Sequence, residues 1–382
     1  MDNKKREIMM IGIIVIVVFV LFINIEISRK KYDETKKEDE KKLLIKITKE
    51  NKNETLMRNI VDASRSEYTY EKMIKDLVLL KKKYRDKIDL NILGTTYDNR
   101  NIYEVVFGNI LSEKHILVHG GIHGREYLNS LLLMKQLEHY LQSYEIAEYK
   151  GVPYKELFGN IVFHIVPMAN PDGVTISQIG IDGIKNSYLK KLINKCYYED
   201  IEDAYTSDDY ENYLKKWKAN AKGVDLNRNF NASWNLINQS PHPSFENYKG
   251  KCYESELETK ALIKLTNRYR FIATISYHSS GNIIYWDYTN SLNKNECSNL
   301  ADIVKECTKY EKAMSDSNYN EVVSGGYKDW ASSKSKNPIP SITIETGEGN
   351  CPLDICEFKK IWKYNVDIWA ACAYELSKHK KK

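Results

Sequence analysis

The sequence predicts an α/β fold with a mixed, mainly parallel central sheet and helices on both faces, preceded by one N-terminal transmembrane helix. Three observations lead there. Short apolar runs of strand length alternate with longer stretches of helical spacing, the pattern of strands joined by crossover helices. Polar motifs fall where the apolar runs stop, as expected when ligands gather at the carboxyl ends of parallel strands. One uncharged stretch near the start is long enough to cross a bilayer.

That stretch runs from Ile8 to Ile25, and Asn24 is its one strongly polar residue. Lys4, Lys5 and Arg6 precede it, and Arg29, Lys30 and Lys31 follow. It matches the ~20 apolar residues of a spanning helix. The following INIEISRKK offers no small-residue cleavage site, so residues 1–28 read as an uncleaved signal anchor. Cations on both sides nearly cancel under the positive-inside rule. The expectation is a single-pass protein of the cell membrane with its C-terminal bulk outside the cytoplasm. Residues 29–65 are dense in Lys, Glu and Asp and read as a solvated linker.

A folded domain, 66–382, begins where the pattern changes. Tyr70, Met73, Ile74, Leu77, Leu80 and Tyr84 recur at helical spacing, and Leu90 to Leu93 and Ile102 to Phe107 read as strands. Ile116 to Val118, Ile161 to Val166, Ile272 to Tyr277 and Ser341 to Ile344 are short apolar runs suited to central strands. Leu128 to Tyr140, Glu254 to Leu265, Asn299 to Val304 and Phe358 to Leu376 read as helices. With 382 residues, 42% of them hydrophobic, the chain can bury the core of a sizeable enzyme. The net charge of +5 is spread among alternating acids and bases, so no nucleic-acid partner is expected. Seven cysteines show no CxxC spacing, and Cys351 and Cys356 are placed either for a local bridge or as two free thiols.

Candidate chemistry starts in ILVHGGIHGREYLNS, where His123 and Glu126 sit between an apolar strand and a helix. An HxxE pair at such a junction can put both side chains on one side of a metal. His119, four residues earlier, reads as a structural loop histidine. A catalytic zinc needs three protein ligands and one open position. The third candidate is His278, which ends ATISYH. GVDLNRNF places Asp225, Asn227 and Arg228 in one polar loop, and PSITIETG puts Glu345 at a strand end, where a carboxylate is costly unless used or paired. Asp225 is suited to fix the tautomer of a metal-bound histidine, and Arg228 with Asn227 to clamp a carboxylate. Taken singly, each has a salt-bridge or core explanation.

Together, GIHGRE, NPDG, GVDLNRNF, SYHSSG, SGGYKDW and TIETG resemble, in order, the metallocarboxypeptidase family typified by carboxypeptidase A, from about Tyr68 to the C-terminus. The resemblance implies that family's fold, with His123, Glu126 and His278 holding one zinc ion and Glu345 as general base. It further implies that Asn227 and Arg228 bind a substrate carboxylate and that Arg125 lines the substrate groove. Two positions depart from the animal enzymes. The oxyanion-stabilising arginine is matched by Lys218, and the substrate-capping tyrosine aligns with Glu321, with Tyr319 only a neighbour. WKANAKGVDLNRNF and SYHSSGNIIYW look more like the bacterial branch that cleaves peptidoglycan stem peptides between γ-D-glutamate and meso-diaminopimelate. Lys328 falls at the family's specificity position, where a cation would favour a side chain ending in a carboxylate, although a surface lysine explains it equally well. The expected activity is therefore zinc-dependent hydrolysis of peptide bonds near a free carboxylate, in wall peptides. A general carboxypeptidase trimming peptide C-termini is the alternative among enzymes. An inactive anchored domain that binds wall peptides is the alternative outside them.

Overall fold

A computed structural model of the chain describes residues 59–313, 324–334 and 336–378. Among these, eight strands form one sheet: β1 (Ile88–Thr95), β2 (Asn101–Gly108), β3 (His115–His119), β4 (Val162–Val166), β5 (Phe271–His278), β6 (Ile283–Tyr285), β7 (Glu311–Ala313) and β8 (Ser341–Glu345). The spatial order is β1-β2-β4-β3-β5-β8-β6-β7. The four central strands β4, β3, β5 and β8 run parallel, β1 and β2 add antiparallel pairs on one side, and β6 pairs antiparallel with β8 on the other. The expected mixed, mainly parallel sheet is present.

Both faces are covered, which is why the central strands read as unbroken apolar runs. Ile116 and Val118 of β3 pack with α1 (Tyr70–Lys83), α2 (Leu128–Ser143), α6 (Lys294–Thr308), α8 (Phe358–Asn365) and α9 (Ile368–Lys378). Leu117, pointing the other way, joins the cluster of α5 (Leu257–Arg268) and α7 (Tyr327–Ser333). Between β4 and α5 the chain forms α3 (Pro171–Ile179) and α4 (Ser187–Glu202), which close over a smaller apolar cluster around Trp217.

The folded part starts earlier than residue 66. Val61 is buried, its N–H and that of Ile60 donate to the Glu138 carboxylate, and Lys135 Nζ caps the Val61 carbonyl at 3.1 Å. A single apolar residue pinned by a buried carboxylate leaves little trace in a charged stretch. The helix expected over Phe358 to Leu376 is two helices. Gln136 Nε2 and Tyr140 Oη of α2 donate to the Asn365 and Val366 carbonyls at 2.6 and 2.5 Å, and Ala370 N–H donates back to Tyr140 Oη. These side chains replace the next helical bonds, and the chain turns there. α5 begins at Leu257 rather than Glu254, because Glu254 sits at φ +56° with its N–H given to Asn229. Cys351 and Cys356 are free thiols. The expected span from Ile8 to Ile25 lies outside the described residues, as do Tyr319 and Glu321. Among the described residues no helix is long and apolar enough to cross a membrane.

Candidate metal centre

Strand order delivers the site. β3, β5 and β8 are neighbours, and the β5–β8 register sets Glu345 opposite His278, so two side chains leave the carboxyl ends of adjacent parallel strands together. After β3 the chain turns through Gly121, at φ +60°, to His123 and a single 3-10 turn, Gly124–Glu126, that leads into α2. A side chain at Gly124 would meet the Gly173 carbonyl oxygen at 2.4 Å, so only glycine lets this turn lie on the NPDG segment. Asn170 of that segment caps α3 by accepting from Gly173 N–H at 2.9 Å and donates to the Ile122 carbonyl at 3.1 Å, which ties the turn to α3.

Three buried donors converge. His123 Nδ1 lies 2.8 Å from Glu126 Oε1, His278 Nδ1 lies 3.1 Å from Glu126 Oε2, and the two Nδ1 atoms are 3.1 Å apart. All three ligand atoms lie within 4.8 Å of one another. Two imidazole nitrogens aimed at each other across one carboxylate form a poor hydrogen-bond set but a good donor set for one cation. Two His and one Glu with an open position is the composition of a catalytic zinc site. The residues present fit zinc.

Charge around the donors is graded. Asp225 stands 3.2 Å from His123 Nε2 and 3.3 Å from Lys218 Nζ, and it accepts the Asn227 and Asn247 N–H groups. Burial alone would raise its carboxyl, yet Lys218 and His123 hold it well below the usual carboxylate range. Glu345 goes the other way. Burial pushes it up to about 7, with His278 and Lys218 opposing and Glu126 adding to the rise. A buried carboxyl at a strand end beside three metal donors is placed to accept and return a proton. Arg125 Nη2 pairs with Glu246 at 3.0 Å, Arg228 Nε donates to Gln239 Oε1 at 2.9 Å, and Asn227 Oδ1 accepts Tyr327 N–H at 3.0 Å. Gly325, at φ +79°, carries its missing side chain against the Arg228 carbonyl at 2.4 Å, so SGG of SGGYKDW packs directly on the Asn227–Arg228 turn.

Residues 73–368 match the zinc carboxypeptidase family. The chain belongs to that family. It is a zinc metallopeptidase, and His123, Glu126 and His278 form a group able to hold its metal. It is 29% identical over 312 residues to gamma-D-glutamyl-L-diamino acid endopeptidase 1 of Lysinibacillus sphaericus, covering 80% of this chain and 72% of that one. Human mast cell carboxypeptidase A is 26% identical over 241 residues, 62% of this chain and 51% of that one. In fold, this zinc carboxypeptidase is similar to thrombin-activatable fibrinolysis inhibitor, with a TM-score of 0.66 at 18% identity over 89% of this chain and 81% of that one.

One expectation about the site needs correction. Lys328 is buried, and its ammonium is committed to the Asp329 carboxylate and, at 2.7 Å, to the Asp287 carbonyl. It is half of an ion pair at the start of α7 rather than a surface lysine. The neighbouring Asp329 was the available signal. His119 ends β3 rather than lying in the loop, with Nε2 on Ser276 Oγ at 2.8 Å and its ring edge against Tyr327, and it stands apart from the metal donors. Sequence reasoning also passed over Glu246 and Gln239, which hold Arg125 and Arg228. Neither belongs to a motif, since both come from the irregular segment between Phe230 and α5.

Proposed function

We propose that this zinc carboxypeptidase hydrolyses peptidoglycan stem peptides at the γ-D-glutamyl–diaminopimelate bond. The observation that carries the reaction is Glu345 at a strand end beside three converging metal donors. The wall-peptide substrate is supported by the similarity to an endopeptidase whose name specifies a γ-D-glutamyl-L-diamino acid bond. When bound, zinc supplies Lewis acidity toward a water molecule and the scissile carbonyl. Glu345 takes the proton from the attacking water and returns it to the leaving amine. Lys218, held at the site by Asp225, offers positive charge to the developing oxyanion. Asp225 orients His123. Arg228 with Asn227 binds the substrate carboxylate, and Arg125 lines the groove.

The uncharged Ile8–Ile25 stretch supports a place at the cell membrane, and a wall-peptide substrate favours a catalytic domain outside the cytoplasm. Digestion of a defined stem peptide by the full-length chain in detergent, read by mass spectrometry, tests the proposal. Products split between γ-D-glutamate and diaminopimelate are expected. Release of C-terminal residues alone, from ordinary peptides equally, would make it a general carboxypeptidase, and no product from either would sink both readings.

A further inference from the structure

Beside the candidate site lies a second feature that the reaction does not use, a cleft of about 510 Å³ between the end of α4 and the segment that follows Phe230. That volume falls within the usual size of a small-molecule site. Tyr205, Asn238, Gln239, Ser240, His242 and Asn247 line it. Two of these are bonded to groups already placed at the metal centre: Gln239 Oε1 accepts from Arg228 Nε at 2.9 Å, and Asn247 N–H donates to Asp225 at 3.2 Å. The cleft therefore neighbours the metal centre, with two short contacts between its walls and residues placed there.

Its chemistry is neutral and rich in hydrogen bonding. No lysine or arginine lines it, and the one acid that does, Asp203, is paired with His242 Nε2 at 2.9 Å. A carboxylate or an ammonium would find no free counter-charge. Of its amides and hydroxyls, Asn247 Nδ2 donates to Tyr205 Oη at 2.9 Å and Ser240 Oγ donates to the His242 carbonyl at 2.7 Å, which leaves the Asn238 amide and the acceptor side of Ser240 facing the cleft. Gln239 has spent its oxygen on Arg228, so its NH2 is what it presents, and Tyr205 contributes a half-exposed ring. Such a surface suits a ring bearing hydroxyl and acetamido groups.

We propose that this cleft is a subsite for the N-acetylated amino sugar to which wall stem peptides are attached. The proposal rests on the wall-peptide reading and extends it: the substrate is a glycopeptide, engaged by its peptide at the metal centre and by its sugar against Asn238, Gln239 and Ser240.

The test compares a free stem peptide with the same peptide carried on N-acetylmuramic acid, using the full-length chain and its Asn238→Ala/Ser240→Ala variant. The parent should cleave the glycopeptide with kcat/KM about tenfold above the free peptide, and loss of two hydrogen-bonding groups should erase most of that advantage while leaving the free peptide unchanged. Equal rates for both substrates in the parent, or equal losses on both in the variant, overturn the subsite and leave the peptidase reading intact. If neither substrate is cleaved, the peptidase reading fails by itself. The subsite is then judged by calorimetric titration of Glu345→Gln protein with N-acetylmuramic acid: heat that disappears on adding the Asn238→Ala/Ser240→Ala changes upholds it, and no heat in the parent overturns it.

Discussion

Two clusters on the same sheet contain the same residue types, two histidines and a glutamate, and only one of them converges on a point where a metal could sit. At the carboxyl ends, His123, Glu126 and His278 aim Nδ1, a carboxylate and Nδ1 at one point, within 4.8 Å of one another. At the amino end of β3, half-buried His115 bonds through Nδ1 to His164 Nε2 at 2.8 Å, and His164 Nδ1 bonds to Glu104 at 2.6 Å. Asn91 donates to the other oxygen of Glu104 at 3.0 Å, and Tyr269 stacks on His115 at 4.8 Å. The first cluster converges and the second is a line in which both His164 nitrogens and both Glu104 oxygens are spent on neighbours. Composition therefore does not make a metal site. Convergence of unspent lone pairs does, and the loop after β3 creates it by bringing His123 and Glu126 beside the end of β5.

The sharpest break of this comparison is His278→Ala. The converging cluster should lose stoichiometric zinc by elemental analysis, and turnover should vanish with it. A full equivalent of zinc in that variant would remove His278 from the site. Next in size is Glu345→Gln, which leaves the three donors in place. Zinc should stay at one equivalent while turnover drops by about 10²–10⁴, the range of a lost general base. Activity within a few-fold of the parent would place the base elsewhere.

The linear cluster should respond in the opposite sense. His164→Leu removes the middle of the chain and takes a bond from a buried carboxylate, so urea unfolding should report a loss of about 1–3 kcal/mol with zinc content unchanged. Loss of zinc there would show that the two ends are not independent. The smallest effect concerns pH. Burial, with His164 nearby, lowers His115 to about 4 from its ordinary 6.5. In that window the unfolded chain binds more protons, so this group's contribution is present above pH 6.5 and is lost as pH falls toward 4. His115→Phe should flatten the stability profile between those values, and an unchanged slope would assign the acid sensitivity to other groups.

Much of the fold and of the metal set was legible in the chain. Apolar runs marked β2, β3, β4, β5 and β8, and the motifs at their ends contained all three ligands and Glu345. These features are local: a strand end, an HxxE spacing and a carboxylate after an apolar run are each written in a few consecutive residues. What stayed hidden was every pairing across distant segments. Val61 on Glu138, the break after Asn365 made by Gln136 and Tyr140, and Glu246 and Gln239 holding the two arginines all depend on partners far apart in sequence. Lys328 makes the same point at close range, since only burial against Asp287 and Asp329 turns a lysine that could read as a free cation into half of an ion pair. The sequence by itself determined which residue types stand at the ends of which strands. Tertiary structure alone decided that His123 and His278, 155 residues apart, share a point while His115 and His164 share a proton, because lone-pair direction is set by strand order and register and no short stretch of chain records either.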